Sequence, residues 1–439
     1  EEIATLQVLS KKILFMRIYR INRGPMFLKA DAETIRQVHK ELQKYFSAFK
    51  GRLLIWAPES DSLKSSLRSY HWRKNPVRSA WVFLKRPEGE ILASLEGKWR
   101  NQMLKARKSN VTIDDSDGAG EFQWLLDQRK PGQSAVSSSR NESDKVEILS
   151  GIFQDKTLGT PIGFIIRNTD ARPADYEHLQ TAYRPSHADF AWDQKYGFRD
   201  FRGGGRASAR ETAARVAAGA IALQLLNHFG ISVLSWVSKV GDVTMDPSAT
   251  INSEAVFSNE IRCPHPASAA SMRNLILKLK AEGNTIGGMV STRVTGLNAG
   301  IGEPVFDKLH ASLGHAMLSI NAVKGFEYGS GFGSVKMTGT EHNDTFVNSG
   351  GSITTRTNHS GGIQGGISNG NEINFNVAFK PVATVLQPQE TVNAAGEAAV
   401  LEGKGRHDPC VVPRAVPIVM AMTALTVADQ LLRNRSARL

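Results

Sequence analysis

Residues 184–213 constrain this chain most, because they combine glycines, cations and hydroxyls at the start of a long alanine-rich segment. The run RGGGRASARET (202–212) places three consecutive glycines before a helix that we expect from about Ser208. Glycine lets a backbone approach a ligand closely, and the first amides of a helix attract anions. Arg206 and Arg210 should therefore face an anion at the positive end of this helix. A glycine-rich turn before a helix is a weak signal by itself, so the interpretation depends on the rest of the chain.

Composition is typical of an ordinary globular protein with room for two domains. The chain has 439 residues, of which 41% are hydrophobic and 22% charged. Its two cysteines, Cys263 and Cys410, have neither metal-ligand nor redox spacing, so we predict no metal site, no disulfide framework and a reducing cytoplasm. No apolar run approaches membrane-spanning length, and we expect no membrane partner. Because Glu1 rather than methionine opens the sequence, we expect a fragment, a processed product or an incompletely defined gene.

The net charge of +12 is unevenly distributed, with +9 in residues 1–121 and +3 in residues 122–439. The basic front contains no recognisable nucleic-acid module and no base-stacking aromatic motif. We therefore predict no nucleic-acid partner.

The front segment, residues 1–121, has the pattern of a mixed α/β unit. Strands are predicted at 12–20, 52–57 and 80–84, and helices at 31–50, with Asp31 as the N-cap, and at 95–110. The physical chemistry of the sequence alone favours a structural interpretation, in which a solvated basic face covers a packed core.

Two stretches of this front, YRINRGPMFL (19–28) and residues 79–113, resemble the first acyltransferase-like domain of Fem-type peptidoglycan aminoacyl transferases. The resemblance implies an acetyltransferase-like α/β fold and enzymes that use aminoacyl-tRNA and a lipid-linked acceptor. Nothing downstream matches the second domain of such an enzyme, so no catalytic residue is assigned here.

Two later features carry side chains suited to proton transfer. His187 lies in a dense polar run just before RGGGR, and histidine titrates near neutrality, although a lone histidine is more often structural. Arg406, His407 and Asp408 adjoin one another before a predicted buried helix at 415–432. A carboxylate beside two potential cations should be ionised and could accept a proton.

From residue 122 onward the chain closely resembles chorismate synthases. The resemblance rests on five motifs in that family's order: DQRKPGQS (127–134), RGGGR (202–206), SINAVKGFEYGSGFGS (319–334), NHSGGIQGGISNGNEINFNVAFKPVAT (358–384) and RHDPC (406–410). It implies an α+β fold, a β-α-β sandwich with helices between antiparallel sheets, in which 206–227 and 415–433 are inner helices. It also implies a bacterial, cytoplasmic homotetramer in aromatic amino-acid biosynthesis.

The resemblance assigns roles to individual positions. His187 matches the histidine that protonates the reduced flavin, and Asp408 matches the aspartate that takes a proton from the flavin or the substrate intermediate. The positions that match FMN contacts are Arg206, Ala207, Ser208, Asn321, Ala322, Gly365, Lys380, Pro381, Val382, Ala383, Thr384 and Arg406. Arg129 and Arg210 match positions that bind substrate or NADP. Ala207 replaces the usual serine, and Met420 stands where a glutamate is common.

The implied activity is a lyase reaction of the shikimate pathway. 5-Enolpyruvylshikimate 3-phosphate loses phosphate and a ring hydrogen to give chorismate, and reduced FMN is needed without net oxidation. Family members carry a FGESHG-like motif whose histidine protonates the leaving phosphate, but this sequence has no histidine between His71 and His178. We expect impaired turnover. A non-catalytic flavin-binding remnant and a fusion with a peptidoglycan aminoacyl transferase fragment are the alternatives.

Overall fold

The computed structural model describes residues 4–13, 16–27, 52–56, 118–140, 142–154, 156–170, 173–202, 205–435 and 437. Side chains are described from Phe122 onward, except those of Pro173, Ala174, Asp175 and Arg206. The chain divides into two compact units, Glu1–Leu104 and Lys105–Leu439. The sequence analysis puts the boundary at residue 122, and that boundary stays a prediction.

In the first unit, β1 (Ala4–Ile13) pairs antiparallel with β2 (Met16–Phe27), and β3 (Arg52–Trp56) lies parallel to β2. The strand predicted at 52–57 is confirmed to within one residue. The single strand predicted at 12–20 is wrong, because the chain reverses between Ile13 and Met16, which pair across the hairpin. The elements predicted at 31–50, 80–84 and 95–110 lie outside the described residues.

The second unit is built from helices and short antiparallel strands. Its helices are α1 (Gly118–Arg129), α2 (Asp189–Tyr196), α3 (Thr212–His228), α4 (Ser253–Phe257), α5 (Pro266–Ala281), α6 (Leu309–Leu318), α7 (Gly339–His342) and α8 (Val412–Asn434). Its strands are β4 (Val146–Ser150), β5 (Ile152–Phe153), β6 (Lys156–Thr157), β7 (Gly163–Ile166), β8 (Ser232–Val240), β9 (Val243–Thr244), β10 (Gly288–Thr295), β11 (Val323–Tyr328), β12 (Phe346–Ser349), β13 (Ser352–Thr355), β14 (Ile363–Gln364), β15 (Ile367–Ser368), β16 (Ile373–Phe379), β17 (Gln389–Val392) and β18 (Ala398–Leu401).

One five-stranded antiparallel sheet, in the order β11-β16-β10-β8-β9, covers one side of the helices. Buried and half-buried residues alternate along β16, as the two-residue period of a strand requires when one face meets a core. Ile373, Phe375 and Val377 lie on the buried face, and Val290 and Val294 of β10 join them. The sheet and helices together confirm the predicted α+β class.

Helices α3 and α8 pack against each other at the centre of the core, where small residues let their axes approach closely. A Cβ added to Gly219 would lie 2.2 Å from Cβ of Ala421, so only glycine fits at this contact. The inner helices predicted at 206–227 and 415–433 correspond to α3 and α8. Helix α3 begins later than expected, at Thr212, because Ser208 is extended and two short 3₁₀ turns, Gly205–Ala207 and Ala209–Glu211, come first.

Helix α8 corrects the expectation that no apolar run approaches membrane-spanning length. It has 23 residues and is long and apolar enough to cross a membrane by those two criteria alone. Two thirds of its most apolar window is buried inside the protein, where α8 packs against α3, α6, β8 and β10. Its apolar character is therefore that of a central core helix.

A second, two-stranded antiparallel sheet is formed by β4 and β7, and β7 contacts α3. Val146, Phe164 and Ile166 pack on the core from this sheet, whereas Ile148 and Leu149 are exposed. A complete β-α-β sandwich stays a prediction.

Candidate active site

The segments singled out in the sequence meet around one cavity of about 350 Å³, here called the main cavity. Its walls come from the loop after α1, the loop before α2, the turns before α3, the start of β11, the segment after β16 and the loop before α8. Most of the predicted site residues line it: Arg129, His187, Ala207, Ser208, Arg210, Asn321, Ala322, Lys380, Pro381, Val382, Ala383, Thr384, Arg406 and Asp408.

Two predicted contacts are not part of this lining. Gly365 lies in the turn between β14 and β15 with a positive φ of 62°, and its role as an FMN contact stays a prediction. The side chain of Arg206 lies outside the described side chains. The structure thus brings together residues from distant segments around one cavity.

His187 is oriented by a buried carboxylate. Its Nδ1 lies 2.9 Å from Oδ1 of Asp189, and Arg184 binds the same carboxylate through Nε and Nη2, each at 2.8 Å. Burial alone would raise the pKa of Asp189, but hydrogen bonds from Arg184 and His187 hold it well below its usual range. Because an ionised carboxylate only accepts, Nδ1–H of His187 donates to Asp189, and Nε2 is the nitrogen left for proton exchange.

Asp408 is held on both of its oxygens. The backbone N–H of Ser138 donates to Oδ1 at 2.9 Å, and Nη1 of Arg414 donates to Oδ2. Arg414 also donates from Nε to the carbonyl oxygen of Arg129 at 2.8 Å. One arginine of α8 thereby fixes both the aspartate and the end of α1.

His407, next to Asp408, is a neutral histidine in a cationic surrounding. Burial and the guanidinium groups of Arg140 and Arg184 lower the pKa of His407 to about 4, although the Asp408 carboxylate opposes the shift. The adjacent Arg406 is paired with Asp170 through Nη1 at 2.6 Å. The sequence predicts Asp408 beside two potential cations, but at neutral pH only the arginine is charged.

Under the first turn of α3 lies a buried ion network. Asp144 is fully buried, and its two oxygens accept from Nη2 of Arg129 at 2.6 Å and Nη1 of Arg210 at 2.7 Å. Glu142 lies 3.2 Å from the same Arg210 nitrogen. The Arg129 side chain is 2% exposed, whereas that of Arg210 is 18% exposed. Arg210 can therefore reach an anion in the cavity, but Arg129 acts mainly inside the protein.

Opposite the start of α3, the cavity wall is backbone. Ala322 has a φ of +69°, and its carbonyl accepts from the backbone N–H of Lys380 at 3.0 Å. Nδ2 of Asn321 donates to the carbonyl of Ala207 at 3.4 Å, while Oδ1 is buried and has no hydrogen-bond partner among the described residues. Nζ of Lys380 donates to the carbonyl of Ser186 at 2.9 Å, which links this wall to the His187 loop.

Sequence reasoning missed several residues that orient the predicted site residues. Asp189 stands two positions after His187, which could have suggested a histidine–carboxylate pair. Asp144 and Arg414 gave no local signal, because Asp144 joins arginines 15 and 66 positions away and Arg414 joins the preceding loop to the carbonyl of Arg129. They are found only when the chain is folded.

Comparisons with known proteins give one consistent result. A family model described as chorismate synthase matches residues 105–432. The chain is 56% identical over 315 residues to chorismate synthase of Christiangramia forsetii, covering 72% of this chain and 88% of that protein. It is 52% identical over 345 residues to that of Bacteroides fragilis, covering 78% and 95%. A crystal structure of chorismate synthase matches with a TM-score of 0.54 and 29% identity, covering 72% of this chain and 83% of that one.

Proposed function

The chain belongs to the chorismate synthase family, a family of lyases, and we propose that it acts on 5-enolpyruvylshikimate 3-phosphate by 1,4-anti elimination. In that reaction the C–O bond to phosphate and a ring C–H bond break, a new C=C bond forms, and chorismate and phosphate leave. The observation that carries the proposal is that His187 and Asp408, which are more than 200 positions apart, line one cavity rich in arginine.

The charges of the main cavity suit a substrate with one phosphate and two carboxylates. Arg140, Arg184, Arg210 and Arg406 line it together with Lys380. Arginine binds such groups through paired N–H donors. We assign substrate binding to these side chains and assign Arg129 to holding Asp144 and the loop, because its guanidinium is almost completely buried.

Reduced FMN, when bound, supplies the electron density that helps the phosphate leave. The residues fit this group, since Asn321 Oδ1 is a buried acceptor without a partner among the described residues, and the backbone of 380–384 forms an adjoining wall. Ala207 removes one hydroxyl from this side, which we expect to weaken cofactor binding by only about 1 kcal/mol.

The two proton-transfer roles fall to His187 and Asp408. His187 exchanges a proton at Nε2, because Nδ1 is tied to Asp189. Asp408 accepts a proton at a carboxylate whose orientation is fixed by Ser138 and Arg414. A base held in one orientation loses little entropy when the substrate arrives.

We further propose that this polypeptide turns over slowly. Residues 72–177 contain no histidine, so the described cavity has no counterpart of the histidine that protonates the leaving phosphate in the family. Absence of a positioned general acid typically costs about 10²–10⁴ in rate. We also propose the homotetramer, the use of NADP and the cytoplasmic location that the resemblance to chorismate synthases implies.

The test is a chorismate-formation assay with purified full-length protein and reduced FMN, together with titration of FMN by fluorescence. We expect FMN to bind and turnover to be at least 100-fold below that of the Christiangramia forsetii relative. Full turnover would refute the impairment. Absence of both FMN binding and turnover would refute the proposed function, and binding without any turnover would identify a non-catalytic remnant.

A further inference from the structure

A second cavity, of about 280 Å³, lies on the other side of the loop that follows α1. Consecutive residues of this loop face opposite cavities: Arg129 and Ser138 line the main cavity, whereas Lys130 and Ser137 line the second one. Arg414 is the one residue that lines both. Polar side chains dominate the second cavity: Gln128, Lys130, Gln133, Ser134, Ser137, Ser258, Asn259, Glu260, Arg262 and Arg414.

Arg262 is the notable member of this lining, because it is a buried cation without a carboxylate. It is only 8% exposed, donates from Nη2 to the carbonyl of Gln128 at 3.3 Å and lies over the ring of Phe257, 4.9 Å from its centroid. Within the part of the chain that the structure describes, no acidic side chain forms an ion pair with it. Burial lowers its pKa to about 10, so it remains charged at neutral pH. A buried charge of this kind is costly unless an anion compensates it.

Three acidic groups in or beside this lining already have cationic partners. Glu260 pairs with Arg273, and Asp127 pairs with Lys130 at 2.5 Å. Asp408 is bound by Arg414 on the side of the main cavity. Of the three cations in the lining, Lys130 and Arg414 are therefore already paired with Asp127 and Asp408. Arg262 is the lining cation that has no carboxylate partner among the described residues.

The geometry points to a second oxyanion site, in which Arg262, the hydroxyl of Ser134 and the loop after α1 bind a phosphate or a small phosphate monoester. Guanidinium N–H donors and hydroxyls are the groups that recognise phosphate oxygens. A volume of about 280 Å³ is at the lower end of small-molecule sites and is sufficient for a phosphate or a small phosphate monoester. This site is separate from the main cavity and does not depend on the proposed function.

Its test is isothermal titration of the full-length protein with inorganic phosphate and with glycerol 2-phosphate, at constant ionic strength set with chloride. Two variants address the site. Arg262→Gln removes the cation, and Ser134→Asp places a carboxylate in the cavity through a half-buried position whose hydroxyl has no hydrogen bond among the described residues. We expect each to weaken one class of phosphate sites at least tenfold. Because Arg262 is buried, its variant could misfold, and Ser134→Asp then decides.

Two matched controls locate the effect. Ser208→Asp adds the same negative charge to the main cavity while keeping a side chain that can cap Arg210. The unchanged protein in chloride alone is the second control. Ser208→Asp should retain the class of sites that Ser134→Asp removes. If glycerol 2-phosphate binds more tightly than inorganic phosphate, the ligand is a phosphorylated metabolite. If it binds equally or more weakly, the ligand is the free phosphate ion. The inference is overturned if no phosphate binds below about 10 mM, if Ser134→Asp leaves every class intact, or if Ser208→Asp removes the same class.

Discussion

At the scale of single residues, the main cavity depends on ionic partners that fix its reactive groups. Asp189 orients His187, Arg414 orients Asp408, and Asp144 joins Arg129 to Arg210. Asp144 does so from a positive φ of 45°, which a buried aspartate adopts only when its surroundings impose it. His187 and Asp408 are the proton-transfer residues, and their ionic partners determine how each side chain is oriented in the cavity.

His407 gives the site a specific pH dependence. Its folded-state pKa of about 4 lies below the unfolded value of about 6.5, so the unfolded state takes up the proton first as the pH falls. We expect the free energy of unfolding to decrease between pH 6.5 and 4 by up to about 3 kcal/mol from this residue. Urea unfolding across that range should show the slope, and His407→Gln should remove its share of it. An unchanged slope in the variant would contradict this assignment.

At the scale of helices and strands, the α3–α8 contact holds the two sides of the cavity together. The turns before α3 carry Ala207 and Ser208, and the loop before α8 carries Arg406 and Asp408. A shift of one helix against the other would therefore separate these two walls.

Gly219→Ala tests that contact. Its new Cβ would lie 2.2 Å from Cβ of Ala421 and 2.4 Å from its Cα, which forces the helices apart. We expect a loss of about 2–3 kcal/mol in the free energy of unfolding despite the better helix propensity of alanine. Gly314→Ala in α6 is the matched control, because its Cβ meets only the Phe326 ring, at 3.3 Å, and should change stability by less than about 1 kcal/mol. Equal effects of the two substitutions in denaturant titrations would rule out the tight contact.

At the scale of the whole molecule, the second unit contains its own core. The large cluster of buried hydrophobic residues begins at Phe122 and includes α1, α3, α8 and the five-stranded sheet. The family match at 105–432 covers the same part of the chain.

We therefore expect residues 105–439, expressed without Glu1–Leu104, to fold. Near-UV circular dichroism should retain the signal of Trp236, which is buried, and heating should give a cooperative transition. Full-length protein is the reference for both measurements. A shortened protein with helical far-UV dichroism but no near-UV signal would show that the first unit is needed for packing.

The sequence by itself determined the α+β class, the two inner helices, the family and most of the residues around the main cavity. It could do so because glycine runs, helix-entry residues and apolar periodicity are local signals, and the motifs occur in a recognisable order. Only the tertiary structure decided that Arg129 is buried against Asp144, that His407 is neutral and that Arg262 lines a second cavity. Burial, ion pairing and pKa depend on which side chains meet across the fold, and no local pattern of residues specifies those meetings.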